Sequence, residues 1–225
     1  MQYSTGSAIR AVLVLVVMCF ATHAQAQNQV VNPDFNSVLL PWTQFLSSAP
    51  DPVGAGAAPV RVASPDFNGS ALSGSALVDI NATVAAPDAA SGITECVSFT
   101  PILVTFVNYG GSFLLPATTI ADSAINATVE VRLYSAAGCS GFITGGSQGR
   151  TFLPGLATAT WFTATDNNFV LPGAPVTVAS AEVRGYLRQT GGVAPTQTDY
   201  KSNFDRFFLV LNNTTPVRLQ EFDVE

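Results

Sequence analysis

The chain has 225 residues, 48% of them hydrophobic and 11% charged, with 9 Lys and Arg against 15 Asp and Glu. Low charge and abundant apolar residues exclude an intrinsically disordered chain. A net charge of −6 excludes the basic footprint of a nucleic-acid-binding protein.

The N-terminal residues 1–26 read as a cleavable signal peptide. Arg10 supplies the positive start, Ala11–Ala21 the apolar stretch, and Ala24-Gln25-Ala26 a small-x-small cleavage site. A permanent anchor would need a longer apolar run, and Met18 stands before Cys19 where a lipidation signal has a small residue. No other long apolar run follows, so no helical membrane span is expected in the mature chain. Cleavage leaves residues 27–225 as one domain, secreted or kept in the periplasm or cell envelope. It also removes His23, the only histidine, and leaves Cys96 and Cys139 as the remaining cysteines. Two cysteines in an exported chain are expected to form one disulfide, the alternative being two buried thiols.

Downstream, 14 prolines and 18 glycines leave few gaps for a helix. Between them lie short runs rich in Val, Phe, Leu and Thr that suit pleated strands. In chain order the predicted strands are Ser75–Ile80, Ile93–Phe99, Leu103–Tyr109, Val129–Tyr134, Thr158–Thr163, Val176–Ala179, Ala181–Arg188 and Phe204–Leu211. Val217–Val224 reads as a closing strand, and Ser47–Val60 as a long loop. Alternation is clearest in Val129–Tyr134, which puts Val129, Val131 and Leu133 on one face, and in Ala181–Arg188, which puts Glu182, Arg184, Tyr186 and Arg188 opposite an apolar side. Many short strands between turn signals predict an all-β, antiparallel sandwich or barrel.

Several short segments resemble one group of secreted domains. Val31-Asn32-Pro33-Asp34-Phe35 followed by Leu40-Pro41-Trp42, then Ser73-Gly74-Ser75-Ala76-Leu77, are similar to the opening strands of galactose-binding-like, or carbohydrate-binding-module-like, jelly rolls. Glu95-Cys96-Val97 and Ala137-Gly138-Cys139-Ser140-Gly141 resemble their paired-cysteine positions, and Asn203-Phe204-Asp205-Arg206-Phe207-Phe208-Leu209 their terminal strand. Pro33 and Asn36 depart from the pattern, which has Gly and an acidic residue there. The resemblance implies an antiparallel two-sheet jelly-roll β-sandwich. It also implies a structural calcium ion between Asp34 and Asp205, since a hard cation is held by carboxylate and carbonyl oxygens.

Gly145-Gly146-Ser147-Gln148-Gly149 fits the G-x-S-x-G pattern of serine hydrolases, but the mature chain has no histidine to take the serine proton and no helix to form the elbow. It reads as a flexible glycine-rich loop. Two cysteines without histidine fall short of a zinc site. Glu95, Glu130 and Glu182 lie in or beside strands and allow a paired-carboxylate glycosidase, which ranks last. Saccharide sites stack an aromatic ring on the sugar and fix its hydroxyls with polar neighbours. If the two alternating strands share a sheet, Arg132, Tyr134, Arg184, Tyr186 and Arg188 form such a face, with Trp42, Trp161 and Tyr109 as further aromatics. Trp42 is expected to plug the core instead. The leading expectation is a secreted, non-catalytic carbohydrate-binding-module-like protein with a glycan or cell-surface partner. The alternatives are a structural or adhesive surface protein without a small ligand, and an outer-membrane barrel.

Overall fold

The computed structural model describes residues 27–47, 56–82, 89–191 and 193–211. The expected signal peptide and the closing strand at Val217–Val224 lie outside these residues. The described chain forms strands β1 (Thr43–Leu46), β2 (Val60–Val62), β3 (Ser75–Asn81), β4 (Ala90–Val104), β5 (Phe106–Leu114), β6 (Ile125–Ala136), β7 (Ser140–Thr151), β8 (Trp161–Val170), β9 (Val176–Gln189) and β10 (Asp199–Leu211). They make two five-stranded sheets, ordered β1-β4-β9-β6-β7 and β2-β3-β10-β5-β8, with every pairing antiparallel. Only β2–β3 and β6–β7 are hairpins within a sheet. All other connections cross between the sheets, which is jelly-roll wiring.

The core lies between the sheets. Ala127, Val129, Val131 and Leu133 of β6 and Ala181, Val183 and Leu187 of β9 face Val107, Tyr109 and Phe113 of β5 and Phe204, Phe207 and Leu209 of β10, all essentially buried. Phe207 is the hinge of this packing. It stacks on Phe204 at 6.3 Å and meets Trp42 at 4.5 Å and Phe35 at 6.1 Å. It fits because both sheets present a glycine to it: a Cβ on Gly111 would lie 2.9 Å, and one on Gly185 2.5 Å, from its ring. Trp42, 2% exposed, plugs the core as the sequence suggests. Tyr109 is fully buried, so it is a core residue and not a surface aromatic.

Several sequence expectations need correction. The Leu103–Tyr109 run is not one strand: β4 ends at Val104 and β5 begins at Phe106, the chain crossing between sheets at Thr105. Val176–Ala179 and Ala181–Arg188 are one strand, because Ser180 continues the ladder with no breaker. Pro101 sits inside β4, within the register shift between Ser98 and Ile102, where a missing N–H is tolerated. The Gly145–Gly149 segment is not a loop. It is the middle of β7, paired along β6 from Ala136 to Asn126. Its glycines answer tertiary crowding: a Cβ on Gly146 would sit 2.8 Å from the Tyr109 hydroxyl and 3.1 Å from the Phe169 ring.

Candidate functional site

Alternation along a strand fixes which side chains leave the sandwich. On the sheet β1-β4-β9-β6-β7, the outward residues are Phe45 of β1, Gly92, Thr94 and Cys96 of β4, Glu182, Arg184, Tyr186 and Arg188 of β9, and Asn126, Thr128, Glu130, Arg132 and Tyr134 of β6. Register brings them into rows. Arg184 pairs with Thr94 on one side and Glu130 on the other; Tyr186 lies between Gly92 and Thr128; Glu182 lies between Cys96 and Arg132. The five residues expected from sequence, Arg132, Tyr134, Arg184, Tyr186 and Arg188, therefore stand on one face of adjacent strands.

Arg184 organises the middle of this face. One guanidinium nitrogen donates to Glu182 at 2.7 Å and the other to Glu130 at 3.3 Å, and the group lies 4.4 Å above the Phe45 ring. Glu182 also accepts from the Tyr134 hydroxyl at 2.7 Å and from Thr94 at 2.8 Å. Burial pushes the Glu182 carboxyl up, but the hydrogen bonds from Arg184, Tyr134 and Thr94 outweigh it and hold the group below its ordinary range. Burial also lifts Tyr134, which donates to Glu182, to about 12, and lifts Tyr186, beside Glu130, to about 12. Both hydroxyls stay protonated near neutrality and act as hydrogen-bond donors.

The tyrosine rings are only 6% (Tyr134) and 9% (Tyr186) exposed. That leaves little of either ring for a sugar to stack on. Tyr186 is covered by Phe45 at 5.2 Å, an approach opened by Gly92, whose Cβ would meet the Tyr186 backbone at 2.5 Å. The exposed ring of this face is Phe142 on β7, 54% exposed, with Arg132 stacked 4.5 Å from its centre and Tyr134 at 5.9 Å.

The two ends of the face differ. One end is closed by the Cys96–Cys139 disulfide, which joins β4 to the β6–β7 turn across β9. The turn is seated on β9 and β4 by Cys139 N–H to Ser180 Oγ and Gly138 N–H to Ser98 Oγ, both 3.0 Å. The other end opens into a cavity of about 400 Å³ lined by Asn126, Thr128, Ser147, Gly149, Tyr186 and Arg188, among others. Gly149 lets its neighbours close over it: a Cβ there would lie 2.6 Å from Asn126 Oδ1 and 2.9 Å from Thr128 Oγ1. Sequence reasoning missed Phe45, Thr94 and Phe142, and also the part played by Ser147 and Gly149. The signal was present in the i, i+2, i+4 spacing of Gly145, Ser147 and Gly149, which is hidden when the segment is read as a loop.

The carboxylates do not form an acid–base pair. Glu130 and Glu182 share the outer face and the same arginine. Glu95, one residue from the outward Cys96, points inward. It is 3% exposed, accepts from the Val31 N–H at 3.1 Å, and is raised by burial to about 7.

Asp34 and Asp205 both hold the Ala63–Gly74 loop. Asp34 accepts from the Asn68 amide at 3.2 Å, and Asp205 from the Phe67 N–H at 2.9 Å and the Arg206 N–H at 2.7 Å. Asp205 is fully buried, and burial raises it to about 7. Both oxygens of the Asp205 carboxyl are already committed to backbone donors, which leaves them less free for a hard cation. Among the described residues no group of three or more His, Cys, Asp or Glu side chains stands ready to hold a metal.

No known protein-family profile matches the chain, and no curated protein matches it in sequence. Solved structures do. The module TmCBM61, solved in complex with β-1,4-galactotriose, superposes with a TM-score of 0.48 at 13% identity, over 82% of this chain and 99% of that one. The arabinose-bound α-L-arabinofuranosidase MgGH51 superposes at 0.50 and 15% identity, over 83% of this chain but only 26% of the enzyme. The CBM22-2 xylan-binding domain of Paenibacillus barcinonensis Xyn10C gives 0.42 at 9% identity, over 80% and 97%. At such identities the likeness bears on the fold alone. The chain is an all-β, antiparallel two-sheet jelly roll.

Proposed function

We propose that this is a secreted, non-catalytic glycan-binding protein that holds saccharide on the outer face of the β1-β4-β9-β6-β7 sheet. The supporting observation is the polar cavity beside Tyr186 and Arg188, lined by hydroxyl and amide groups. Sugar hydroxyls need paired donors and acceptors at fixed positions, and side chains on neighbouring strands of a sheet provide them with little freedom to lose. Arg184, with its two glutamates and Phe45, keeps the adjoining surface rigid, and Phe142 supplies the exposed apolar ring. Tyr134 contributes by orienting Glu182, and Arg132 by covering Phe142.

The carboxylate chemistry supports a binding role without catalysis. A glycosidase acid must keep its proton near neutral pH and face its partner across a cleft. On the proposed binding face the outer Glu182 is held ionised, while Glu95 and Asp205, which burial raises to about 7, are enclosed in the sandwich. A disulfide accords with an oxidising compartment. For the Asp34–Asp205 end we propose a clamp on the Ala63–Gly74 loop in place of the structural calcium that the family resemblance implies.

The test is a glycan array with polysaccharide pull-down, using mature protein, followed by titration of the Tyr186→Phe and Arg188→Ala variants. Saccharide binding that both variants weaken, with unchanged circular dichroism, is the expected result. Binding to no glycan, or binding unaffected by either variant, would overturn this reading.

A further inference from the structure

A second cavity, of about 410 Å³, opens between the edge strands β7 and β8 of the two sheets. Its walls include Gln148, Arg150, Trp161, Phe162 and Thr163, and it shares one residue with the first cavity, Gly149. Gly149, on the edge strand β7, is where the two cavities adjoin. The far cavity has its own aromatic wall. Arg150 lies 4.4 Å above the Phe162 ring, and the half-buried Trp161 is braced edge-on by Phe67 at 5.6 Å, itself capped by Arg206 at 4.7 Å. An indole held from behind by another ring keeps its free surface presented, at little entropic cost on binding.

We propose that the β7–β8 cleft is a second saccharide subsite, continuous over Gly149 with the sheet-face cavity, so that the protein grips an internal run of several sugar units instead of a chain end. This rests on the glycan-binding reading above and adds to it the length and course of the ligand. Sugar units on the sheet face meet Tyr186, Arg188 and Ser147. The chain then crosses the rim at Gly149, and its further units stack on Trp161 beside Arg150.

The protein carries its own reporter. Of the two tryptophans in the chain, Trp42 is 2% exposed and only Trp161 can sense a ligand directly. Titrations with β-1,4-linked galacto-, gluco- and xylo-oligosaccharides, from monosaccharide to hexasaccharide, should show affinity rising with length. Tryptophan emission should change only for the longer members. Trp161→Ala should weaken the longest ligand about tenfold, near the upper limit for one aromatic contact, and leave the shortest binder unchanged. Arg150→Ala, on the same wall but outside the core, should act in the same direction. Binding that is independent of length and indifferent to both variants would overturn the extended groove while leaving the sheet-face site standing. Failure of every saccharide to bind, at any length, would remove both.

Discussion

Glu95 gives a stability prediction with a defined sign. Its carboxyl is enclosed by the sandwich, with Oε1 taking the Val31 N–H and Oε2 without a hydrogen-bond partner among the described residues. Burial raises it from its ordinary 4.5 to about 7. Below pH 4.5 the group is protonated in both folded and unfolded chains and has no effect. Between pH 4.5 and 7 the unfolded chain ionises first, so stability falls as pH rises, and above pH 7 the loss is complete. At about 1.4 kcal/mol for each pH unit in that window, the total is about 3 kcal/mol. Glu95→Gln keeps the size and the acceptor for Val31 but removes the charge. In urea denaturation it should match wild type at pH 4.5 and exceed it by about 3 kcal/mol at pH 8. The wild-type curve should be steeper still, because burial raises Asp205 to about 7 and Asp79 to about 6 as well. The difference between the two proteins isolates Glu95. A glutamine variant no more stable than wild type at pH 8 would refute the argument.

Other outcomes follow from the same geometry. The Cys96–Cys139 bridge spans a sequence separation of 43, so its removal in a Cys96→Ser/Cys139→Ser variant should cost about 4 kcal/mol by loop entropy; a loss below about 1 kcal/mol in guanidinium titration would contradict this. Gly185→Ala places a Cβ 2.5 Å from Phe207 and should destabilise by about 1–3 kcal/mol, with recovery when Phe207→Leu is added. Arg184→Met strands Glu130 and Glu182, whose side chains are 22% and 14% exposed; because these are not fully buried, the loss should be about 2–3 kcal/mol at pH 7, less than for an enclosed pair. That loss should shrink as pH falls and Glu182, held below its ordinary range in the wild type, protonates. Calcium and chelator should leave the thermal midpoint of wild type unchanged, whereas a rise of several degrees with calcium would return a cation to the Asp34–Asp205 end.

Part of the candidate site was legible in sequence because alternation is a local property. The pattern Val129-Glu130-Val131-Arg132-Leu133-Tyr134 separates an inward from an outward set whatever the neighbours, and the same holds for Glu182 to Arg188. Both strands keep those faces here. The Gly145–Gly149 segment failed this test because glycine carries no hydrophobicity signal, and β8 was partly missed because Asp166, Asn167 and Asn168 are poor strand formers. Asp166 extends because it pairs with Tyr109 of β5, and Asn167 and Asn168 fall in the register shift between Val107 and Tyr109.

The chain's own residues thus determined that it is an all-β protein, and which side chains each regular strand turns outward. The tertiary structure alone decided what those side chains meet. That β9 lies between β4 and β6, that Glu95 is sealed from Glu130 and Glu182, and that Gly149 lines two cavities all depend on pairings between residues far apart in sequence. A strand's pattern specifies its faces but not its neighbours, since any strand of matching polarity and length satisfies the same backbone hydrogen bonds.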